Sequence, residues 1–191
     1  MTVEADVLER TQDIIGYRFE DEELLRTALT HASIADARVV SNERLEFLGD
    51  AVLGMLVCER LYERFPDYLE GQLTKVKSAI VSRRMCTTIV RDLDLERMLA
   101  IGKGMQTRGE LPSSLSAALL ESIVGAIYLD AGLDRTREFL MPLLMPHIDR
   151  AARSGHQQNF KSVLQQHAQQ EMGAQPEYVL LDEKGPDHAK C

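Results

Sequence analysis

Tryptophan is absent from this 191-residue chain, and aromatic residues of all kinds make up only 5% of it. Aliphatic side chains must therefore fill its core. Cysteine is scarce as well: Cys58, Cys86 and Cys191 are an odd number at wide spacing, with no C-x-x-C pair. That excludes a disulfide framework and a zinc site, and predicts buried or free thiols. No uninterrupted apolar run approaches the ~20 residues that span a bilayer. The polar, acidic start MTVEADVLERTQD lacks the character of a secretory signal. A soluble cytoplasmic protein without membrane association is expected. The sequence has no nucleophile elbow, no phosphate-cradling glycine loop and no internal repeat, so a serine hydrolase or a nucleotide cofactor is not expected either.

Positive charge is in deficit, with a formal net charge of −8, which disfavours contact with a polyanion. Its distribution tells more than its sum. Between Gly71 and Gly109 stand eight basic residues, Lys75, Lys77, Arg83, Arg84, Arg91, Arg97, Lys103 and Arg108, against three acidic ones. A solvated helix face accounts for such a stretch as readily as a binding surface does.

What the chain does have is helical periodicity. Apolar positions recur at helical spacing in Val7–Ile14, Leu24–Leu29, Leu45–Leu61, Leu73–Val81, Ile89–Leu99, Leu115–Leu129 and Phe139–Ile148. Gly16, Pro66, Gly102, Gly104, Pro112 and Gly132 punctuate them. Residues 1–152 read as an all-α bundle, and the polar stretch 153–159 as a linker. Within 160–191, Phe160–Met172 reads as an amphipathic helix broken by Gly173, and Glu177–Leu181 as a strand. One helix and one strand cannot bury a core of their own, so this second segment reads as an incomplete domain.

The informative segment is Asn42-Glu-Arg-Leu-Glu-Phe-Leu-Gly-Asp50. At about 100° per residue, Glu43, Glu46 and Asp50 fall within roughly 60° of one another on one helix face. From Leu45 to Cys58, ten of fourteen residues are apolar, two are glycine, and Glu46 and Asp50 are the only charges. A helix apolar nearly all round is buried or forms an interface, so these carboxylates lack an ordinary solvated face. Gly49 and Gly54 each cost ~1 kcal/mol relative to Ala in a helix interior, which predicts close approach of another backbone at both. A second helix, Leu115–Leu129, repeats the anomaly: its only charge is Glu121, among the small residues Ala117, Ala118, Gly125 and Ala126. If Glu121 faces Glu46 and Asp50, carboxylates ~5 Å apart repel by ~3 kcal/mol per pair at an effective dielectric of ~20. Such a cluster protonates or binds a cation. Oxygen donors without histidine or cysteine suit a hard ion, Mg²⁺ or Mn²⁺. Glu70 opens a predicted helix, where an acid complements the dipole. His31 has no partner histidine at metal spacing and reads as a satisfied core or capping residue.

The stretch Asn42–Asp50 resembles the defining motif of the ribonuclease III family at all nine positions. Gly16-Tyr-Arg-Phe19, Ala28-Leu-Thr-His31, Phe65-Pro66, Glu70-Gly71 and Glu121…Gly125-Ala-Ile-Tyr-Leu-Asp130 follow the family pattern in order. Residues 160–190 resemble the opening of a double-stranded-RNA-binding domain through Leu164-Gln165, Pro176-Glu-Tyr-Val179 and Gly185-Pro-Asp-His-Ala-Lys190. The resemblance implies an all-helical endonuclease domain acting as a homodimer on double-stranded RNA, in ribosomal and messenger RNA processing. It implies metal-assisted hydrolysis that leaves 5′-phosphate and 3′-hydroxyl ends. It assigns Glu46, Asp50 and Glu121 as metal ligands, with Asp50 and Glu121 catalytic, and Glu43 and Glu70 as supporting acids. Lys75, Lys77, Arg83, Arg84 and His188 become candidate RNA contacts. The sequence departs from the family where an aspartate is usual three residues before Glu121; here that position is Ala118. The departure favours an alternative, a family member that holds duplex RNA and cuts weakly or not at all. A helical dimerisation module whose acids merely line an interface is a third reading.

Overall fold

The computed structural model describes residues 3–35, 37–102, 111–157, 168–169 and 171–173. The chain divides into two units, Met1–Ala152 and Arg153–Cys191. Among the described residues six α-helices of seven residues or more follow one another: α1 Ala5–Ile15, α2 Glu22–Ala28, α3 Glu43–Arg64, α4 Glu70–Ile80, α5 Arg83–Asp92 and α6 Ser113–Gln157. Short 3-10 turns at Arg38–Val40 and Leu95–Met98 fill two of the connections. Among the described residues there is no strand, only an isolated parallel bridge between Thr30 and Ala100. The fold is all-α, as its periodicity predicts.

Local chemistry sets the helix ends. Gly16 closes α1 in the left-handed region, at φ 67°, where glycine carries no Cβ penalty. Asp21 caps α2 by accepting from the Glu23 N–H at 3.0 Å, and Ser82 caps α5 by accepting from the Met85 N–H at 3.2 Å. The single helix expected over Ile89–Leu99 is two elements instead. α5 begins earlier, at Arg83, and ends at Asp92, and Asp94 turns the chain with φ 53° before the 3-10 turn. Leu95 and Met98 remain buried across the break, so the apolar spacing survives while the helix does not. In α6 the backbone leaves helical geometry at Gly132, with φ 77° and ψ −171°, which separates the two periodic segments found in the sequence.

The core is aliphatic. Leu8, Leu25, Leu29, Leu53, Leu56, Leu61, Ile80, Leu95, Leu119, Leu120, Ile123 and Ile127 are its largest fully buried side chains. At the centre α3 and α6 cross on two glycines. A Cβ on Gly49 would stand 1.7 Å from the Glu121 carbonyl oxygen, and one on Gly125 would stand 2.4 Å from that of Leu45. Gly54 differs from expectation: nothing lies within 4 Å of its missing Cβ, because it faces away from α6. The segment before α3 is tied down by main-chain bonds. The Ala100 N–H donates to Leu29 O at 2.9 Å, the His31 N–H to Ala100 O at 3.1 Å, and the Asn42 N–H to Thr30 O at 2.9 Å. His31 Nδ1 accepts from the Ser33 N–H at 3.1 Å, so the ring shapes a turn.

By length and mean hydropathy the stretch Ser113–Arg153 would reach across a bilayer, although 61% of its apolar window is buried inside the protein. A search for unbroken apolar runs passes over it because polar residues interrupt it. In the second unit, residues 168–169 and 171–172 are helical and Gly173 has φ 61°. The predicted strand and His188 lie outside the described residues.

The crossing yields a stability prediction. Gly49→Ala forces α3 and α6 apart and costs about 2–3 kcal/mol or more, as overpacking does. Gly71→Ala, with open space around its missing Cβ, gains up to ~1 kcal/mol of helix propensity. Urea denaturation midpoints of the two variants should move in opposite directions.

Candidate active site

The glycine crossing puts the main chain of Glu121 against α3 beside Asp50. α3 then presents Glu46 one turn earlier on the same side. Glu46 and Glu121 are half-buried, and Asp50 is exposed. Sequence reasoning denied both α3 carboxylates a solvated face, and Asp50 departs from that: the outer side of α3 is apolar yet open to solvent. Phe47 is 83% exposed, Met55 45% and Tyr62 77%.

Electrostatics link the three acids. Burial pushes the Glu121 carboxyl up to about 7, the charges of Asp50 and Glu46 push it the same way, and the Arg83 guanidinium opposes them. Glu46 is also raised, first by burial and next by Glu43, with Asp50 adding and Arg83 opposing. Behind them lies the thiol of Cys86, 1% exposed, which burial drives up to about 12, with Glu121 and Asp50 adding. Glu46, Asp50 and Glu121 thus act on one another electrostatically, with Glu43 adding to the effect on Glu46 and the exposed Arg83 opposing the shifts of both glutamates. Ala118, one turn before Glu121 and 6% exposed, offers a methyl group and no oxygen.

Other candidates stand elsewhere. Glu70 is the first residue of α4 and accepts from the Thr74 hydroxyl at 2.7 Å; it is not among the groups acting on Glu46 or Glu121. Lys75 and Arg84 are exposed. Lys77 lines a groove of about 370 Å³ with Cys58, Leu61, Tyr62, Leu73 and Thr74. Cys86 carried no signal in the sequence, since only tertiary packing puts it against the acids.

Among the described residues no group of three or more His, Cys, Asp or Glu side chains stands close enough to clasp a metal ion. The donor chemistry nevertheless fits a hard divalent cation: carboxylates from two helices repel one another, and one is held near neutrality by burial and its neighbours.

A family model described as Ribonuclease-III-like matches residues 21–148. The chain belongs to the ribonuclease III family. It is 48% identical over 183 residues to a Ribonuclease 3 of Rhodopirellula baltica, covering 96% of this chain and 69% of that one. It is 43% identical over 188 residues to a Ribonuclease 3 of Nitratidesulfovibrio vulgaris, covering 96% and 74%. The fold is similar to the nuclease domain of ribonuclease III from Campylobacter jejuni, with a TM-score of 0.67, 34% identity and coverage of 75% of this chain and 97% of that one. This ribonuclease III family member is an endoribonuclease.

The raised carboxyls of Glu121 and Glu46 set a pH dependence. An acid whose folded pKa exceeds its unfolded value binds more protons when folded, so stability falls as pH rises between the two values. For Glu121 that window runs from its ordinary 4.5 to about 7. In EDTA, the melting temperature should be lower at pH 7.5 than at pH 5, and Glu121→Gln should flatten most of that slope. A wild-type melting temperature independent of pH across the window would contradict the clustering of the acids.

Proposed function

We propose that the chain cuts double-stranded RNA as a homodimer, with Mg²⁺ as its ion and Mn²⁺ able to substitute, leaving 5′-phosphate and 3′-hydroxyl ends. The observation that carries this reading is the electrostatic coupling of Glu46, Asp50 and Glu121 across the α3–α6 crossing. Those three carboxylates are the ion's ligands, and Asp50 and Glu121 are the catalytic pair. When bound, the ion activates water for in-line attack on the phosphodiester and offsets charge on the leaving oxygen. Glu121, half-protonated near neutral pH, gives up its proton when the cation arrives. Glu43 supports Glu46 from the edge of the cluster. Lys75, Lys77, Arg83 and Arg84 supply cations for phosphates, in keeping with recognition of a duplex by its shape.

The outer face of α3 supports the dimer. Phe47, Met55 and Tyr62 form an exposed apolar stripe, and on the same helix no atom of the described residues lies within 4 Å of the missing Cβ of Gly54. Exposed apolar surface beside a site, with a helical glycine open to close approach, suits a second copy. Glu70, bonded to Thr74 on the wall of the Lys77 groove, is assigned a supporting role in that assembly. One of the Campylobacter jejuni structures is described by the flexibility of a region involved in dimer formation. Residues 160–191 are read as the start of a double-stranded-RNA-binding domain, with His188 in a loop that contacts the duplex; of the stretch 153–159 expected to be a linker, residues 153–157 instead continue α6. Ribosomal and messenger RNA processing in the cytoplasm is the cellular role this reading supports. Ala118 favours a second reading, a duplex-holding protein with weakened cleavage.

A long RNA duplex incubated with Mg²⁺ separates the readings. Cleavage that EDTA abolishes, and that Glu121→Ala lowers on the order of 10²–10³-fold, the cost of losing one preorganised electrostatic group, supports the enzyme. Intact duplex with a retained gel shift supports the holder. Phe47→Asp should shift the protein to monomer in sedimentation and lower cleavage with it; a dimer unchanged by that substitution removes α3 from the interface.

A further inference from the structure

The helix that carries Glu121 is apolar through Leu115–Leu129 apart from a few polar groups, and one of these, Ser116, is fully buried in its first turn. A buried hydroxyl is costly unless it is bonded, and this one bonds to another element. It donates to Glu96 Oε1 at 2.6 Å, the length of a charge-assisted bond. The same oxygen accepts from Arg91 Nε at 2.9 Å. Arg91 Nη2 donates in turn to Leu111 O at 3.3 Å, two residues before α6 begins. The Glu96 side chain is only 16% exposed. Burial by itself would raise its carboxyl, but the bonds from Ser116 and Arg91 outweigh that and hold it below its ordinary value. One turn earlier on α5, the Thr87 hydroxyl stands 2.9 Å from the carbonyl oxygen of Ser113, the first residue of α6.

These bonds form a clasp that ties the start of α6 to α5 and to the 3-10 turn Leu95–Met98. Glu121 follows Ser116 by five residues, about 7.5 Å along the axis and roughly 140° around it. The clasp therefore lies on another side of α6 from the acids and reaches them only through the helix itself. The crossing leaves it something to do. At Gly49 and Gly125 backbone meets backbone, without the side chains that interlock as ridges in grooves. Such a contact brings two helices close but does less to stop one sliding or turning on the other. At that level Ser122 Oγ stands 3.0 Å from Ala28 O, and beyond it Asp130 accepts from the Glu20 and Asp21 N–H groups at 2.9 Å. The clasp supplies the hold ahead of Glu121. Shielded ionic contacts add little net stability, and their best-attested use is to fix register.

We propose that Glu96 is a positioning residue of this endonuclease: bonded to Ser116 and Arg91, it sets where α6 lies against α5, and so where Glu121 stands relative to Glu46 and Asp50. The inference rests on the reading of those three carboxylates as the ion's ligands. Glu96 itself touches neither ion nor RNA. Its effect is carried by the helix, and a displacement of about 1 Å at a reacting group is enough to slow a reaction greatly. Both bonds converge on Oε1, so Glu96→Gln can keep them while Glu96→Ala removes both. Ser116→Ala is the milder cut, because Glu96 then keeps its bond from Arg91.

The test uses the full chain, a defined RNA duplex and a series of Mg²⁺ concentrations, well below the melting temperature. Ser116→Ala and Glu96→Ala should each lower kcat about three- to tenfold, less than the roughly 10–100-fold lost with groups bonded directly to a metal ligand, and leave KM for the duplex within about twofold. Calorimetry with Mg²⁺ alone should show both binding the ion about threefold or more weakly. Glu96→Gln should restore most of kcat and of the Mg²⁺ affinity. The double variant Ser116→Ala, Glu96→Ala should lose little more than either single one, since the two act as a unit. Asp21→Ala, which removes the cap of α2, should lower the melting temperature and leave kcat and Mg²⁺ binding at wild-type values. Wild-type kcat and Mg²⁺ affinity in both clasp variants, a loss confined to KM, additive losses in the double variant, or an equal loss in Asp21→Ala overturns the assignment. If wild-type protein leaves the duplex intact, the parent reading falls, and Mg²⁺ calorimetry on Ser116→Ala still decides whether the clasp governs the acids; if wild type binds no Mg²⁺ either, both fall. If wild type cuts and the clasp variants cut equally well, this inference alone falls.

Discussion

Two glycines, Gly49 and Gly125, hold the rest of the site in place. Their contact is backbone on backbone, with each missing Cβ replaced by a carbonyl of the opposite helix. Helices with ordinary side chains pack 8–10 Å apart, and this pair comes closer because nothing projects between them. That approach decides the chemistry. Glu121 and Asp50 belong to different helices, and a near-touching crossing lets the charge of one act on the other. A looser contact would return each acid to its own solvated surface and dissolve the electrostatic coupling.

The same closeness sets up a conflict between folding and function. Burial and like charge raise Glu121 to about 7 and raise Glu46 too, so the free protein holds its acids at a cost. The core beneath them is aliphatic and tightly filled, and it absorbs that cost across α3 and α6. Cys86 at the back contributes an apolar wall, since burial keeps its thiol protonated. A charged or hydrated residue there would have spread the local field. Ala118 lowers the repulsion further by withholding an oxygen, so the strain this chain carries at its site is smaller than a fourth carboxylate would bring.

Much of this was legible in the residues, and the limits of legibility have physical causes. The electrostatic coupling of Glu46, Asp50 and Glu121 could be anticipated because charge alone in an apolar helix is costly unless something answers it. The closeness at Gly49 and Gly125 could be anticipated because glycine in a helix is also costly. The same logic misread Gly54, whose missing Cβ faces open space, because a price in propensity does not say which side of the helix collects it. Periodicity found the core residues Leu95 and Met98 but ran one helix through Asp94, since buried spacing persists across a turn that breaks hydrogen bonding. Arg83 stood out only as one cation in a basic stretch. Its effect on Glu46 and Glu121 depends on how α5 packs in the fold, which no local pattern encodes.

α3 shows why one short motif carries so much of the identity of the chain. Its 22 residues serve three kinds of neighbour. Leu45, Gly49, Val52, Leu53, Leu56, Val57 and Leu61 turn inward. Glu46 and Asp50 point along the seam with α6. Phe47, Met55 and Tyr62 face out. An amphipathic surface helix has two faces and tolerates drift in either; a three-faced helix does not, because 100° per residue leaves no slack between a core position, a site position and an outward apolar one. Shifting the sequence by one residue would bury Glu46 or Asp50 in the aliphatic core and put Gly49 where no backbone needs it. The helix is therefore constrained at nearly every position by geometry alone, and the stretch Asn42–Asp50, where all three faces begin together, is where that constraint is densest.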